Sequence, residues 1–228
     1  MKPLYFEHVP PRGAYNNFPR FRPDARQYRA HLYQGGPAPE VIQESRGAGA
    51  YTLCEVCNKR CGRYAMEFIE WAVFWQSALD AAPLAQVLIA APMTRRSRVM
   101  KEIVAMTLSA SPPRTGRIND GLRRYVWNSE LNGLSTGVRV YAALTRDKDS
   151  RQAAGGANVN TETGAASIFT EIAFAPFILV TSFLDSPPPD PRLVDISHLA
   201  AAGYKDREIT QLTLPVLRLH GHYQGTYR

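Results

Sequence analysis

At 228 residues the chain is long enough to bury a sizeable core, and 45% hydrophobic with 21% charged residues is the composition of a folded protein, which excludes wholesale disorder. The 27 Lys and Arg against 20 Asp and Glu leave a formal charge of +7, a balance that favours polyanionic partners such as nucleic acid or nucleotides. The first six residues lead into no apolar stretch of signal-peptide length, and the most apolar stretch, residues 65–91, is broken by Glu67, Glu70, Gln76, Asp80 and Pro83, so a cytoplasmic location without membrane anchoring is expected.

Near the start, Glu7-His8 is followed by Val9-Pro10-Pro11, whose prolines hold the backbone extended and so fix the histidine at the end of a strand. Residues 10–47 are rich in Pro, Gly and Arg without periodicity, which predicts an ordered loop or basic arm. Arg12, Arg20, Arg22, Arg26 and Arg29 are offset there by Asp24 alone and interleaved with Tyr15, Phe18, Phe21 and Tyr28. That mixture suits phosphate contacts with base stacking; it also suits a solvated loop pinned by a few aromatics. Three cysteines occur, Cys54, Cys57 and Cys61. The Cys-x-x-Cys spacing of the first two aims two thiolates at one ion, as in a zinc knuckle. A closed zinc site needs four ligands, for which Cys61 with His8 or His31 are the available candidates; without metal the three are small buried residues.

Residues 65–79 are apolar almost all round and predict a central helix. Val99, Ile103 and Met106 at helical spacing predict a second helix over about residues 94–109. Arg95, Arg96, Arg98 and Lys101 cluster in its first turns, where the macrodipole offers cations no help, so they either serve a partner or form a solvated basic face. From Val138 the period changes to two, which predicts a half-buried strand over residues 138–145. A long Gly- and Asn-rich loop is expected over 147–164, strands over 167–174 and 177–184, extended chain over 186–191 and a short helix near 195–202. A last strand is expected over 211–219, with Pro215 arguing for an edge. The expected class is therefore α+β.

The Glu7-His8-Val9-Pro10-Pro11 and Leu53-Cys54-Glu55-Val56-Cys57-Asn58 segments together resemble HNH nucleases, in which a strand ends in an Asp-His or Glu-His pair before a Pro-containing loop and a helix begins with Cys-Asn or Cys-His. More closely, the chain looks like a group of bacterial and phage HNH-related proteins, with further familiar stretches at residues 98–106, 137–145, 188–196 and 227–228. The resemblance implies a small module of the ββα-metal or treble-clef type over residues 1–64, followed by a helical and antiparallel β-rich body over 65–228. It implies that His8 is the general base that activates water and that Glu7 and Asn58 hold a catalytic divalent cation, Mg or Mn. It also implies possible zinc on Cys54, Cys57 and Cys61, and nucleic acid or nucleotide as partner through Arg12, Arg20, Arg22, Arg26 and Arg29. Where the family carries an Asn that orients the His-bearing loop, this chain has Gly49. The expected activity is metal-dependent phosphodiester hydrolysis. The alternatives are a catalytically inactive relative that binds nucleic acid or nucleotides, and a structural subunit of an assembly, with an oligomer possible.

Overall fold

The computed structural model describes residues 4–16, 20–23, 35, 41–44, 49–110, 116–159, 164–220, 225 and 227, some of them, including Glu7, Cys54, Cys57, Asn58 and Cys61, by their backbone alone. Strand β1 (Leu4–His8) comes first. The short strands β2 (Arg20–Pro23) and β3 (Val41–Glu44) pair with each other, and β4 (Gly49–Cys54) returns antiparallel to β1. The chain then passes directly from Cys54 into helix α1 (Glu55–Ala81).

Helix α1 carries its apolar residues at 64, 68, 71, 72, 75 and 79, the spacing that lines up one face of a helix, and all six are buried. Pro83 stops it, and the Arg146 guanidinium donates to the carbonyls of Ala82 (2.7 Å) and Ala85 (3.2 Å) just beyond its end. The expected start at residue 65 is thus ten residues late. Residues 57–62, Cys-Asn-Lys-Arg-Cys-Gly, lack apolar periodicity, and an exposed Glu55–Lys59 pair at i,i+4 spacing (2.6 Å) supports that turn. The expected division between residues 64 and 65 falls inside this helix, and Val9 and Ala14 share one buried cluster with the body.

After β5 (Val87–Ala90) and β6 (Met93–Thr94) comes α2 (Arg96–Ala110), close to its expected bounds. Helix α3 (Gly116–Trp127) follows. Strands β7 (Arg139–Leu144), β8 (Arg151–Val159), β9 (Ala166–Phe174), β10 (Phe177–Ser182) and β11 (Val194–Asp195) form one antiparallel sheet in the order β11-β7-β10-β9-β8. A 3₁₀ turn over Ser197–Ala201 takes the place of the expected short helix. Strands β12 (Glu208–Ile209) and β13 (Leu212–Pro215) then pair with β6 and β5. The class is α+β, as its pattern predicts. Among the described residues no helix is long and apolar enough to cross a membrane.

Both faces of the central strands are covered. Val140, Ala142, Leu144, Ile172, Phe174, Phe177 and Leu179 point to the helices, and Trp71 of α1 stacks on Phe177 with ring centroids 4.2 Å apart. Tyr141, Ala143, Phe169, Ala173, Ile178 and Val180 point the other way, under Leu193, Leu217 and Tyr227. Strand β7 is therefore buried on two faces, where alternation with Tyr141 predicted one; a later stretch of chain supplies the second layer. That layer is fixed by a buried carboxylate: Glu171 accepts from the Tyr227 hydroxyl (2.9 Å) and the Gly225 amide (2.6 Å) and pairs with Arg151. Strand β8 replaces part of the expected 147–164 loop. Its Gly155-Gly156 pair carries no strand signal, and it forms at the sheet edge because β9 offers a ladder, with an irregular register between Ala153 and Gly156.

Candidate active site

The β1–β4 ribbon sets the positions that the sequence singles out. His8 closes β1 and pairs with Gly49, the first residue of β4; Glu7 pairs with Ala50, and Leu4 with Cys54 at the far end. His8 is half-buried and engaged in an interaction within the fold. The segment that follows it is anchored: Val9, Pro10, Pro11, Ala14 and Asn16 are buried, while Arg12 is exposed. Ala14 donates its amide to the Pro11 carbonyl (2.8 Å), and the buried Asn16 amide donates to the Pro10 carbonyl (2.6 Å). Asn16 thus braces the segment that carries His8. It lies at no spacing of the HNH motif, and its one signal in the sequence is a short polar side chain shortly after two prolines.

The same segment lies against α1. A Cβ on Gly13 would come within 2.8 Å of Ile69 Cδ1, so glycine allows the close approach. Positions 58, 62, 65 and 69 share one line along α1, since they are spaced by three or four residues. Asn58 therefore belongs to the helix line that Gly13 meets at Ile69. Midway along it is Gly62, exposed and with open space where a Cβ would stand, so that line is partly uncovered. Positions 57 and 61 fall on another line, which continues through the buried Tyr64, Phe68, Trp71 and Trp75.

The expected ligands divide accordingly. Cys54 ends β4, Cys57 and Cys61 stand in the first two turns of α1 at positions that extend its core stripe, and Asn58 stands on the neighbouring line. Among the described residues no group of three His, Cys, Asp or Glu side chains is placed to hold a metal ion; the side chains of Glu7, Asn58 and the three cysteines lie outside that description. Of the five arginines expected to touch nucleic acid, Arg12 is exposed beside the His8 segment. Arg20 and Arg22 lie on β2, described by backbone alone, and Arg26 and Arg29 lie outside the described residues.

The second basic cluster, at the head of α2, is not a freely solvated face, because its cations are engaged within the fold. Arg95 precedes the first turn of α2; its amide (2.6 Å) and guanidinium (3.0 Å) both donate to the buried Glu67 carboxylate from α1. An anion therefore stands at the helix start, where the macrodipole favours one. Arg96 pairs with Glu208, and Arg98 lies over the Tyr204 ring (4.4 Å) while donating to the Tyr204 carbonyl (3.3 Å). Lys101, fully buried, donates to the carbonyls of Tyr125 (2.6 Å), Asn128 (2.9 Å) and Leu131 (3.1 Å). It caps the C-terminus of α3, and burial pulls its ammonium down to about 8.

More exposed cations lie elsewhere. Lys59, Arg60 and Arg63 are exposed on α1, and Arg123 and Arg124 on α3. Little in the sequence signals them, since Lys59, Arg60 and Arg63 stand beside the cysteine motif and Arg123 and Arg124 in a helix with few apolar positions. Chemically, the ribbon supplies a histidine, at the end opposite Cys54, and the first turns of α1 supply an open helix line and exposed positive charge: a base for proton transfer and cations for phosphate. Compared with known protein families, with curated proteins and with solved structures, the chain has no match.

Proposed function

We propose that this chain is an HNH-like protein that hydrolyses phosphodiester bonds of nucleic acid with a divalent cation, using Glu7, His8 and Asn58. One observation carries the reading: β1 ends in His8, pairs with β4, and β4 runs without a linker into α1, whose first turn holds Asn58. This strand, strand, helix order is the one that the sequence resemblance implies for a ββα-metal module over residues 1–64.

Within that reading, His8 takes a proton from the attacking water, a task suited to an imidazole, which changes charge near neutral pH. Asn16 and the buried Val9-Pro10 segment fix its backbone, which limits the reorganisation needed before attack. Glu7 and Asn58 offer a carboxylate and an amide oxygen, a donor set that fits a hard ion such as Mg or Mn. When bound, such an ion stabilises the negative charge that builds on the phosphoryl oxygens. Arg12 stands exposed beside the site to meet a flanking phosphate. Zinc on Cys54, Cys57 and Cys61 receives less support, because positions 57 and 61 extend the core stripe of α1.

A second reading, binding without cleavage, is favoured by Gly49. It pairs with His8 where the resemblance calls for an orienting Asn. The test is a cleavage assay on DNA and RNA with and without added magnesium or manganese, alongside the metal content of the purified protein. Hydrolysis that needs the divalent ion supports the enzyme; salt-sensitive binding without any hydrolysis supports the second reading.

A further inference from the structure

The five outward cations of α1 and α3 belong to one surface. Arg60 lies over the Trp127 ring at 5.0 Å, and the Tyr64 hydroxyl donates to the Val126 carbonyl (2.7 Å), so the head of α1 is fastened beside the tail of α3. On α1, positions 56, 59, 60, 63 and 66 are all exposed and fall within about a third of the circumference at about 100° per residue. That sector borders the line of Asn58 and Gly62. On α3, Arg123 and Arg124 precede Trp127 by four and three residues and share its face. Trp127 is 37% exposed, whereas Trp71 and Trp75 are buried.

The charge on this surface is cancelled only in part from within. Glu55 pairs with Lys59 (2.6 Å), and Asp120 approaches Arg123 (3.6 Å). Among the described residues Arg60, Arg63 and Arg124 have no carboxylate partner, unlike Arg95 and Arg96. Arg124 also lines a cavity of about 300 Å³ with Ser135 and Thr136, whose side chains carry hydroxyl donors. Unpaired guanidinium groups flanking an exposed indole match a chain of phosphates with bases or sugars between them.

We infer that the strip of Lys59, Arg60, Arg63, Arg123, Arg124 and Trp127 is the track on which the phosphate backbone of DNA lies as it reaches the candidate site. This deepens the nuclease reading by naming where substrate is held, and it rests on that reading only for what happens at His8. The strip binds DNA whether or not the site cuts it.

The test uses the full chain, a fluorescent 24-base-pair duplex and EDTA, so that binding is read without hydrolysis. Changing Arg60, Arg63 and Arg124 together to Gln is expected to weaken binding at least about tenfold and to lower the slope of log affinity against log salt by about 2 to 3, since each lost phosphate contact removes about 0.9. The charge-reversed Glu triple should bind more weakly still, and the melting temperature of each variant shows that it is folded. Trp127 is the exposed one of the three tryptophans, so duplex should quench emission in the wild type and not in Trp127→Phe. Wild-type affinity in a folded Gln triple, or no duplex binding by the wild type, would overturn the inference. So would displacement of the duplex by polyglutamate at equal charge, which would assign the strip to an acidic protein. Loss of binding in the triple together with absent cleavage by the wild type would leave this inference standing and defeat the nuclease reading.

Discussion

The head of α2 and the head of α1 each gather cations within two turns, Arg95, Arg96, Arg98 and Lys101 in one and Lys59, Arg60 and Arg63 in the other. At α2 the partners come from distant parts of the chain: Glu67 on α1, Glu208 on β12, Tyr204, and the end of α3. At α1 Lys59 pairs with Glu55, four residues away and exposed, and Arg60 and Arg63 have no carboxylate partner among the described residues. Two basic runs that look alike in sequence therefore do opposite things. One holds three helices together; the other stays exposed on the surface. What separates them is burial, because a cation taken out of water must be matched by acceptors within the fold.

The largest effect should follow from breaking the most buried tie. Lys101→Met leaves three carbonyls without their donor, and a loss of about 3 kcal/mol is expected, read by denaturant unfolding as a lower midpoint with unchanged slope. The pH dependence sharpens the same point. Because the folded-state value, about 8, lies below the ordinary 10.5, the unfolded chain binds more protons between those limits, so stability rises with pH from about 8 towards 10.5. Burial raises Tyr125 and Tyr227, which lose stability above the ordinary tyrosine range, so the clean window ends near pH 10. Lys101→Met should lack the rise across that window; an equal rise in both proteins would place its origin elsewhere.

Smaller losses are expected from the neighbouring ties. Glu67→Ala removes the acceptor for the Arg95 amide and guanidinium and should cost about 2 kcal/mol, whereas Arg98→Ala loses a ring contact and a long hydrogen bond and should cost about 1 kcal/mol. Smallest of all is the effect at α1. The Arg60, Arg63 and Arg124 triple to Gln should shift the melting temperature by no more than about 4 °C, measured by calorimetry, because the ring contact of Arg60 with Trp127 is at the surface and Arg63 and Arg124 have no carboxylate partner among the described residues. A loss of stability there comparable with Lys101→Met would erase the distinction between the two clusters.

Much of this was legible in the sequence wherever signal and structure are local. The aromatic stripe of α1 announces itself by spacing, and so do α2, β9 and β10. Helix α3 did not, since Arg117, Asn119, Asp120, Arg123 and Arg124 leave few apolar positions to set a period. Strand β8 is made by its neighbour instead of by its own side chains, and the second covering of β7 arrives from Leu193, Leu217 and Tyr227. For the candidate site, the places of His8 and Asn58 at a strand end and a helix start were readable from motif spacing. The brace by Asn16 and the joining of α1 to α3 through Arg60 and Trp127 depend on contacts that no spacing encodes.

Placement of His8 in a hydrolytic site is decided by single-turnover cleavage of a nucleic-acid duplex by wild type and His8→Ala, with magnesium or manganese present and absent. Cleavage that requires the divalent ion and falls at least about a hundredfold in His8→Ala, with duplex affinity unchanged, is the predicted result. Cleavage at the wild-type rate in His8→Ala, or no metal-dependent cleavage of DNA or RNA by the wild type, would contradict it.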